Sequence, residues 1–543
     1  MALPQTFAKY MTKQPLAQAR RALAAILIIA TGPLGPVAAL PAAAQLARPA
    51  GQQPVQLALP TLGDGSDLTP SEERRLGDRI IRELYRDPDY IDDPVLVEYV
   101  QTLWQSLLAA SRARGELSPE LDERFAWEVL LGRDRSVNAF ALPGGYLGVH
   151  LGLIGVVGSR DELASVLAHE LSHVTQRHIA RLMAQQGKVA PWMWGAMILG
   201  ALAASKSPAA GQALMVGGQA VALQNQLNFS RDMEREADRI GYGLMAPAGF
   251  APQGFVDMFD KLQQANRLND NGSWPYLRSH PLTTQRVADM QSRQSLGGTG
   301  TGSTGSVPAQ SLEDAMVVAR ARVLSNPGVD VLRQWLAEPE GGAFAALEPT
   351  RQAAVLYGAA LSASRLHDAA RARTLLARLQ TLVQGDAPAL RQAQLLAAEV
   401  ELAAGRAAQA VRLVPAGKGR PELLLRTQAH LQAAQTGTPP APGAVQEWAP
   451  PLQTWVANHP RDAGAWQALA GVWQAEGKVL RAVRAEAEAH AARYDYAAAV
   501  DRFKAGQALV RKSRAADDFV EASIIDTRLR AVESLLREQA AER

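Results

Sequence analysis

No cysteine occurs among the 543 residues. Disulfides and thiolate ligands are thereby excluded, and a bound metal would have to be held by His, Asp or Glu. The absence leaves the compartment open, because an oxidising one permits disulfides without requiring them. Apolar runs long enough to cross a bilayer are also missing. "APWMWGAMILGALAA" and "ALMVGGQAVAL" come closest, and "SKSPAAG" separates them. This 190–223 stretch reads either as a hairpin of buried helices or as an apolar flap that covers a cleft or makes peripheral contact with a membrane surface.

A lasting excess of charge is the third absence. The first 44 residues carry Lys9, Lys13, Arg20 and Arg21 and no acid. Without them Lys+Arg falls from 56 to 52 against 53 Asp+Glu, and the net charge goes from +3 to −1. The basic character therefore belongs to the N-terminal segment and gives no argument for nucleic acid. That segment has a basic start, the apolar stretch "ALAAILIIATGPLGPVAAL" and an A-x-A site at Ala42-Ala43-Ala44. It reads as a signal peptide over 1–44, which implies export. Gly32, Pro33, Gly35 and Pro36 break the run and count against an uncleaved anchor.

At this length two or more domains are expected. Residues 45–68 read as a flexible tether. Thr69, Pro70 and Glu72 form the signature of a helix N-terminus with a capping box. "RFAWEVLL" alternates, with Phe125, Trp127, Val129 and Leu131 on one face, and predicts a strand. "NAFALPGGYLGVH" predicts a second extended segment turned by Pro143-Gly144-Gly145. From Asp161 to about Gln186 the apolar period is helical. "SLGGTGTGSTGSVPAQS" (295–311) is a low-complexity linker, so a first domain over 69–294 precedes a second over 312–543. The second is helical throughout. "VLYGAALSASRLHDAARARTLLARL", "LLAAEVELAAGRAAQAVRLV" and "AWQALAGVWQAEGKVLRAVRAEAEAH" share small residues at Gly358, Ala398 and Ala470, then a turn, then a second helix. This is a degenerate tetratricopeptide pattern, in which helical hairpins stack to bury their faces. A non-repetitive helical bundle is the alternative.

The chemistry sits in "VLAHELSHVTQRH", which holds three of the nine histidines. His169 and His173 lie one turn apart on one helix face and can chelate one cation. Glu170, about 100° round the axis, can reach water in an open coordination position. His178 falls about 180° from His169 on a continuous helix and reads as a supporting residue. A third ligand must come from elsewhere, and "NFSRDMEREADRIG" offers Glu234 and Asp238, one turn apart. They suit a third ligand and a carboxylate that holds a ligand histidine in its tautomer. Glu236 points away from that pair.

"HELSHVTQRH", "SRDMEREADRIG" and "RSHPLTTQR", with "VNAFALPGGYLGVHLGLI" ahead of them, resemble the HtpX/BepA family of zinc metallopeptidases, relatives of the CAAX prenyl proteases. The resemblance runs from about Leu68 to Met290. A signal peptide in front and helical repeats behind make the chain most similar to the BepA-like, periplasmic branch. The fold it implies is mainly α, with a small α+β zincin-type protease domain followed by an α-solenoid of tetratricopeptide-like hairpins. It also implies one Zn2+ on His169, His173 and Glu234, with Glu170 as general base. Asn138, Ala139 and Phe140 would belong to an edge strand that aligns an extended peptide. His280, in the "RSHPLT" stretch, would occupy zinc's open position and hold the enzyme latent. The expected function is quality control or assembly of outer-membrane proteins, on unfolded or misassembled clients, with the repeats engaging the assembly machinery. A chaperone or scaffold with incidental proteolysis is the competing expectation. No cluster of ligand or catalytic type follows Ser311, so the repeats are expected to recruit rather than catalyse.

Overall fold

The computed structural model describes residues 68–185, 191–206, 229–267, 274–297, 310–435, 448–511 and 518–541. The signal-peptide and tether assignments, the second half of the 190–223 apolar stretch and most of the predicted linker lie outside the described residues.

The first helix, α1 (Pro70–Tyr85), begins at the predicted capping box. Thr69 N–H donates to Glu72 Oε2 at 2.9 Å, and Glu72 N–H donates back to Thr69 Oγ1. After β1 (Tyr90–Ile91), Asp93 caps α2 (Pro94–Ala113) through Leu96 N–H. A short α3 (Pro119–Arg124) leads into β2 (Glu128–Gly132). The predicted strand therefore begins four residues late, at Glu128 rather than Arg124. Phe125 ends α3, and Trp127 has φ +52°, outside the extended region. Its alternation reflects burial by another route: Trp127 Nε1 donates to Asp122 O, and its own carbonyl accepts from Trp104 Nε1.

The strands β3 (Ala139–Leu142) and β4 (Tyr146–His150) form the expected hairpin. Gly144 and Gly145 turn it at φ +77° and +84°. A Cβ on Gly145 would meet Phe125 Cβ at 2.7 Å, so the turn requires glycine. The sheet order is β1-β2-β4-β3, with β2 and β4 parallel and the outer pairs antiparallel. β3 is thus an edge strand, and fully buried β4 lies inside the sheet.

Helix α4 (Leu151–Val156) follows the sheet, and then comes α5 (Arg160–Thr175), which carries the chemical motif and is buried from Asp161 to Thr175. The single helix expected to reach Gln186 does not persist. Arg177 takes φ +52° and the chain restarts as α6 (His178–Gln185). The side chain of Arg177 is held there by Glu73 and by the carbonyl of Leu68. Next, α7 (Pro191–Lys206) seats Trp194 and Ile198 against Leu76 and Ile80 of α1. Helices α8 (Arg231–Met245) and α9 (Gln253–Arg267) pack on α5. At Gly241 an added Cβ would lie 3.1 Å from backbone atoms of Ala168 and His169, so α8 approaches α5 closely one turn from Asp238. The short α10 (Tyr276–Ser279) and then α11 (Thr284–Gly297) complete this region.

Beyond 310 every described element is helical, and most successive helices pack as neighbours. The run is α12 (Leu312–Leu324), α13 (Val329–Ala337), α14 (Pro349–Arg365), α15 (Ala369–Val383), α16 (Ala387–Ala403) and α17 (Ala407–Leu413). It continues through α18 (Arg420–Gln435), α19 (Ala449–Asn458), α20 (Ala463–Ala475), α21 (Val479–Ala492), α22 (Tyr496–Val510) and α23 (Asp518–Ala541). Gly405 and Gly477 turn two hairpins with positive φ, and Gly358 lies against Ala319, as its small size suggested. The array is built into the first region rather than hung beside it. Val317, Val318 and Ala321 of α12 belong to the core that holds Leu163 and Leu167 of α5, and Val95 of α2 packs among Leu395, Leu402 and Leu425.

Candidate metal centre

Four side chains from three places in the sequence meet in the core. Their nearest donor atoms, from His169, His173, Glu234 and His280, all lie within 4.8 Å of one another, and all four residues are buried. Helix α5 supplies the first two, with His169 Nε2 and His173 Nε2 3.0 Å apart. From α8, Glu234 brings Oε2 to 3.5 Å from His169 Nε2 and Oε1 to 3.5 Å from His173 Nε2. His280 ends α10, and its Nδ1 lies 3.0 Å from Glu234 Oε1 and 3.3 Å from His169 Nε2. Tyr276 stacks on the His280 ring, with centroids 4.6 Å apart.

Glu170 is fully buried beside this cluster. Its Oε2 accepts a hydrogen bond from Ala141 N–H at 2.9 Å, and its Oε1 has no donor and lies 3.4 Å from His280 Nε2. The Ala141 contact ties the base position to the sheet edge. Asn138 C=O accepts from His150 N–H on the β4 side. Alternation along an antiparallel pair then turns the backbone groups of Ala139 and Ala141 outward, to the side with no neighbouring strand among the described residues. The buried Asn138 side chain keeps its Oδ1 without a donor.

Around the cluster stands a ring of supporting contacts. Asp238 Oδ1 lies 2.9 Å from His169 Nδ1, and Arg286 grips both Asp238 oxygens at 2.7 and 2.8 Å. Arg286 Nη1 also donates to Pro281 O and lies 2.8 Å from Glu234 Oε2, though with its N–H out of line. This arginine thereby connects the His280 loop to two carboxylates of α8. Sequence reasoning did not single it out, although it stands six residues after His280 in the quoted "RSHPLTTQR". Phe229 stacks on the His173 ring at 4.0 Å, a contact with no signal in the local pattern. His178 meets His173 Nδ1 to Nδ1 at 2.8 Å, and its Nε2 lies 3.0 Å from Glu236 Oε2. The break at Arg177 brings it there, to the side where a continuous helix would not have put it.

Burial and charge divide the pair of motif histidines. Burial alone would lower the pKa of His169, but its bonds to Asp238 and Glu234 override this and raise it to about 9. Burial, reinforced by the neighbouring His169, holds His173 well below the usual range. For Glu234 and Asp238 burial pushes upward and is outweighed, chiefly by His280 on the first and by Arg286 on the second, so both stay low. Burial lowers His178 to about 4, so its ring is neutral near pH 7.

The donor set fits a small divalent cation. Two imidazole nitrogens and a carboxylate converge, and Glu170 Oε1 is buried without a hydrogen-bond donor. Orphaned buried oxygens of this kind are costly unless a cation or a donor completes them.

The description "Peptidase family M48" matches residues 99–294, which contain the whole cluster. The "Beta-barrel assembly-enhancing protease" of Escherichia coli (strain K12) is 32% identical over 448 residues, which cover 81% of this chain and 85% of that protein. A "Putative beta-barrel assembly-enhancing protease" of Vibrio cholerae is 34% identical over 338 residues, 61% of this chain and 65% of that one. The "Mitochondrial metalloendopeptidase OMA1" of Arabidopsis thaliana is 34% identical over 164 residues, 30% of this chain and 31% of its own length. Since the Escherichia coli likeness runs through most of both chains and the buried donor cluster lies inside the matched M48 segment, the chain belongs to peptidase family M48, alongside the beta-barrel assembly-enhancing proteases, and is a metallopeptidase.

Proposed function

We propose that the chain is a zinc metalloendopeptidase in which His169, His173 and Glu234 hold the ion and Glu170 is the general base. The single observation that carries this reading is the position of Glu170: buried against three convergent donors, yet bonded to the amide of an edge strand. Zinc, when bound, supplies Lewis acidity to the scissile carbonyl and its attacking water. Glu170 takes a proton from that water and delivers it to the leaving amine. The Ala141 amide holds the carboxylate in place for both transfers. Asp238 accepts from His169 Nδ1–H, which leaves Nε2 free as a ligand. The free edge of β3, with Asn138, Ala139 and Phe140, aligns an extended substrate by strand addition. His280 occupies the position that substrate water needs, so the resting enzyme is latent until its loop moves.

The setting follows from the relatives and the chain's own N-terminus. Proteins named for beta-barrel assembly, and an N-terminus with the pattern of an export signal, support a periplasmic enzyme in quality control or assembly of outer-membrane proteins. The helical array recruits clients or the assembly machinery. Chaperone or scaffold work with incidental proteolysis is the second reading. It draws on His280, which as a fourth donor makes the cluster resemble a closed structural site.

Metal analysis with a peptidase assay on purified protein separates the two. Glu170→Gln should keep stoichiometric zinc and lose cleavage, whereas His169→Ala and Glu234→Ala should lose zinc. Full metal content in both ligand variants would sink the metal assignment, and full biological activity of Glu170→Gln would favour the second reading.

A further inference from the structure

The two motif histidines are backed by chains of different length that end alike. His169 is held directly by Asp238, which is gripped by Arg286. His173 meets fully buried His178, then Glu236 of α8, and Glu236 Oε2 also accepts from Arg181 Nη1 at 2.8 Å. Both chains finish in a carboxylate paired with an arginine. The second runs outward to the surface, where the Glu236 side chain is 30% exposed.

We infer that Glu236, acting through His178, fixes the tautomer of His173 and so turns the Nε2 lone pair of that ring toward the bound cation. This rests on the proposed metal site. Donor and acceptor capacity dictates the order. An ionised carboxylate only accepts, so His178 Nε2 must carry the proton of that contact. A neutral imidazole then has its lone pair at Nδ1, and two lone pairs cannot face each other at 2.8 Å. The proton between the rings therefore sits on His173 Nδ1. The remaining lone pair of His173 is at Nε2, the nitrogen that faces His169 Nε2 and Glu234 Oε1. Reversing the chain would aim an N–H into the donor cluster and remove a ligand.

Among the described residues, every group facing His178 agrees with this direction. His173 comes from α5, Glu236 from α8 and Arg181 from its own helix, and the Phe229 ring stands 6.1 Å away and offers no hydrogen bond. The turn at Arg177 makes the arrangement possible, because on an unbroken helix His178 would face away from the cluster. Glu236 is thus a positioning residue: it is not among the converging donors and works through two rings.

The test uses the full chain with zinc alone as the probe, measured by competition against a chromophoric chelator. Glu236→Ala should weaken zinc binding by about tenfold, the lower end of what losing such a partner costs a ligand histidine. Glu236→Gln should recover most of the loss, since its amide oxygen can still accept from His178. Histidine 15N spectra of the metal-free protein give a second readout. His173 should be protonated at Nδ1 in the wild type and a mixture of tautomers in Glu236→Ala. Unchanged zinc affinity and an unchanged His173 tautomer in Glu236→Ala would overturn the inference. Should the wild type itself bind no zinc, the metal assignment fails, and the tautomer spectra still decide the role of Glu236.

Discussion

Arg320, on the first helix beyond the linker, clasps both carboxylate oxygens of Asp93, the residue that caps α2, at 2.6 and 2.8 Å. The same guanidinium reaches Glu399 of α16 and the Tyr357 hydroxyl of α14. One buried cation therefore joins the capping of a peptidase helix to two hairpins of the array.

Removing it should be expensive. Arg320→Ala leaves Asp93 buried without its cation, and breaking such a pair costs about 3–5 kcal/mol. Denaturant unfolding should report a loss in that range while zinc stoichiometry is retained. A loss below about 1 kcal/mol, the value of an exposed pair, would show that the two regions are held together by other contacts.

His280→Ala concerns latency. Removal of the ring opens the space beside Glu170 Oε1 and leaves His169, His173 and Glu234 in place. Peptidase activity should rise, with self-cleavage on storage, and zinc should stay bound. Lower activity with intact zinc would make His280 a donor to the reacting oxygen instead, and no change would return it to an ordinary loop residue.

Ala141→Pro isolates the edge-strand amide. Proline is tolerated on an edge strand when the lost N–H does not pair within the sheet, and Ala141 N–H points at Glu170. A hydrogen bond to a charged group is worth about 1.5–3 kcal/mol, so kcat should fall roughly 10- to 100-fold with metal content unchanged. Equal activity would remove the amide from the mechanism.

Acid stability should depend on the array contact at Asp462. Burial by itself would raise the pKa of this carboxyl, but the Arg420 guanidinium overrides it and holds it below the usual range. Arg420 also pairs with Asp92 beside β1. A depressed folded-state pKa contributes stability that is complete above the unfolded value of about 3.9 and is lost as the pH falls through the lower folded value. Stability should therefore fall off below about pH 4. Asp462→Asn should be less stable at pH 6 and show a shallower decline on acidification. Parallel pH profiles for the two proteins would exclude this contact as a source of acid lability.

The sequence spelled out whatever depends on short spacing. His169, Glu170 and His173 follow from one helical turn, Glu234 and Asp238 from another, and the α1 cap from Thr69, Pro70 and Glu72. What it concealed depends on a backbone angle or on distant chain. The positive φ values of Trp127 and Arg177 broke two regular periods, one strand-like and one helical, because tertiary anchors held residues that local pattern alone would have kept regular. Arg286 and Phe229 reach the cluster only through the packing of α8 against α5 and of α11 against α8, which no local periodicity encodes.

The contact between Tyr146 on the inner strand and Tyr494 of the array, 2.5 Å between hydroxyls, joins residues 348 positions apart. Arg461 reaches Glu128 across 333 positions and Arg420 reaches Asp92 across 328. Chains fold from the N-terminus as they are made, so these contacts of β2, of β4 and of the residue after β1 form only once nearly the whole polypeptide has emerged. The motif helix is available early, yet its supporting sheet acquires its last partners only when the end of the helical array has arrived. The order of synthesis thus puts these contacts last: a chain that stopped before Arg420 would lack all three of them.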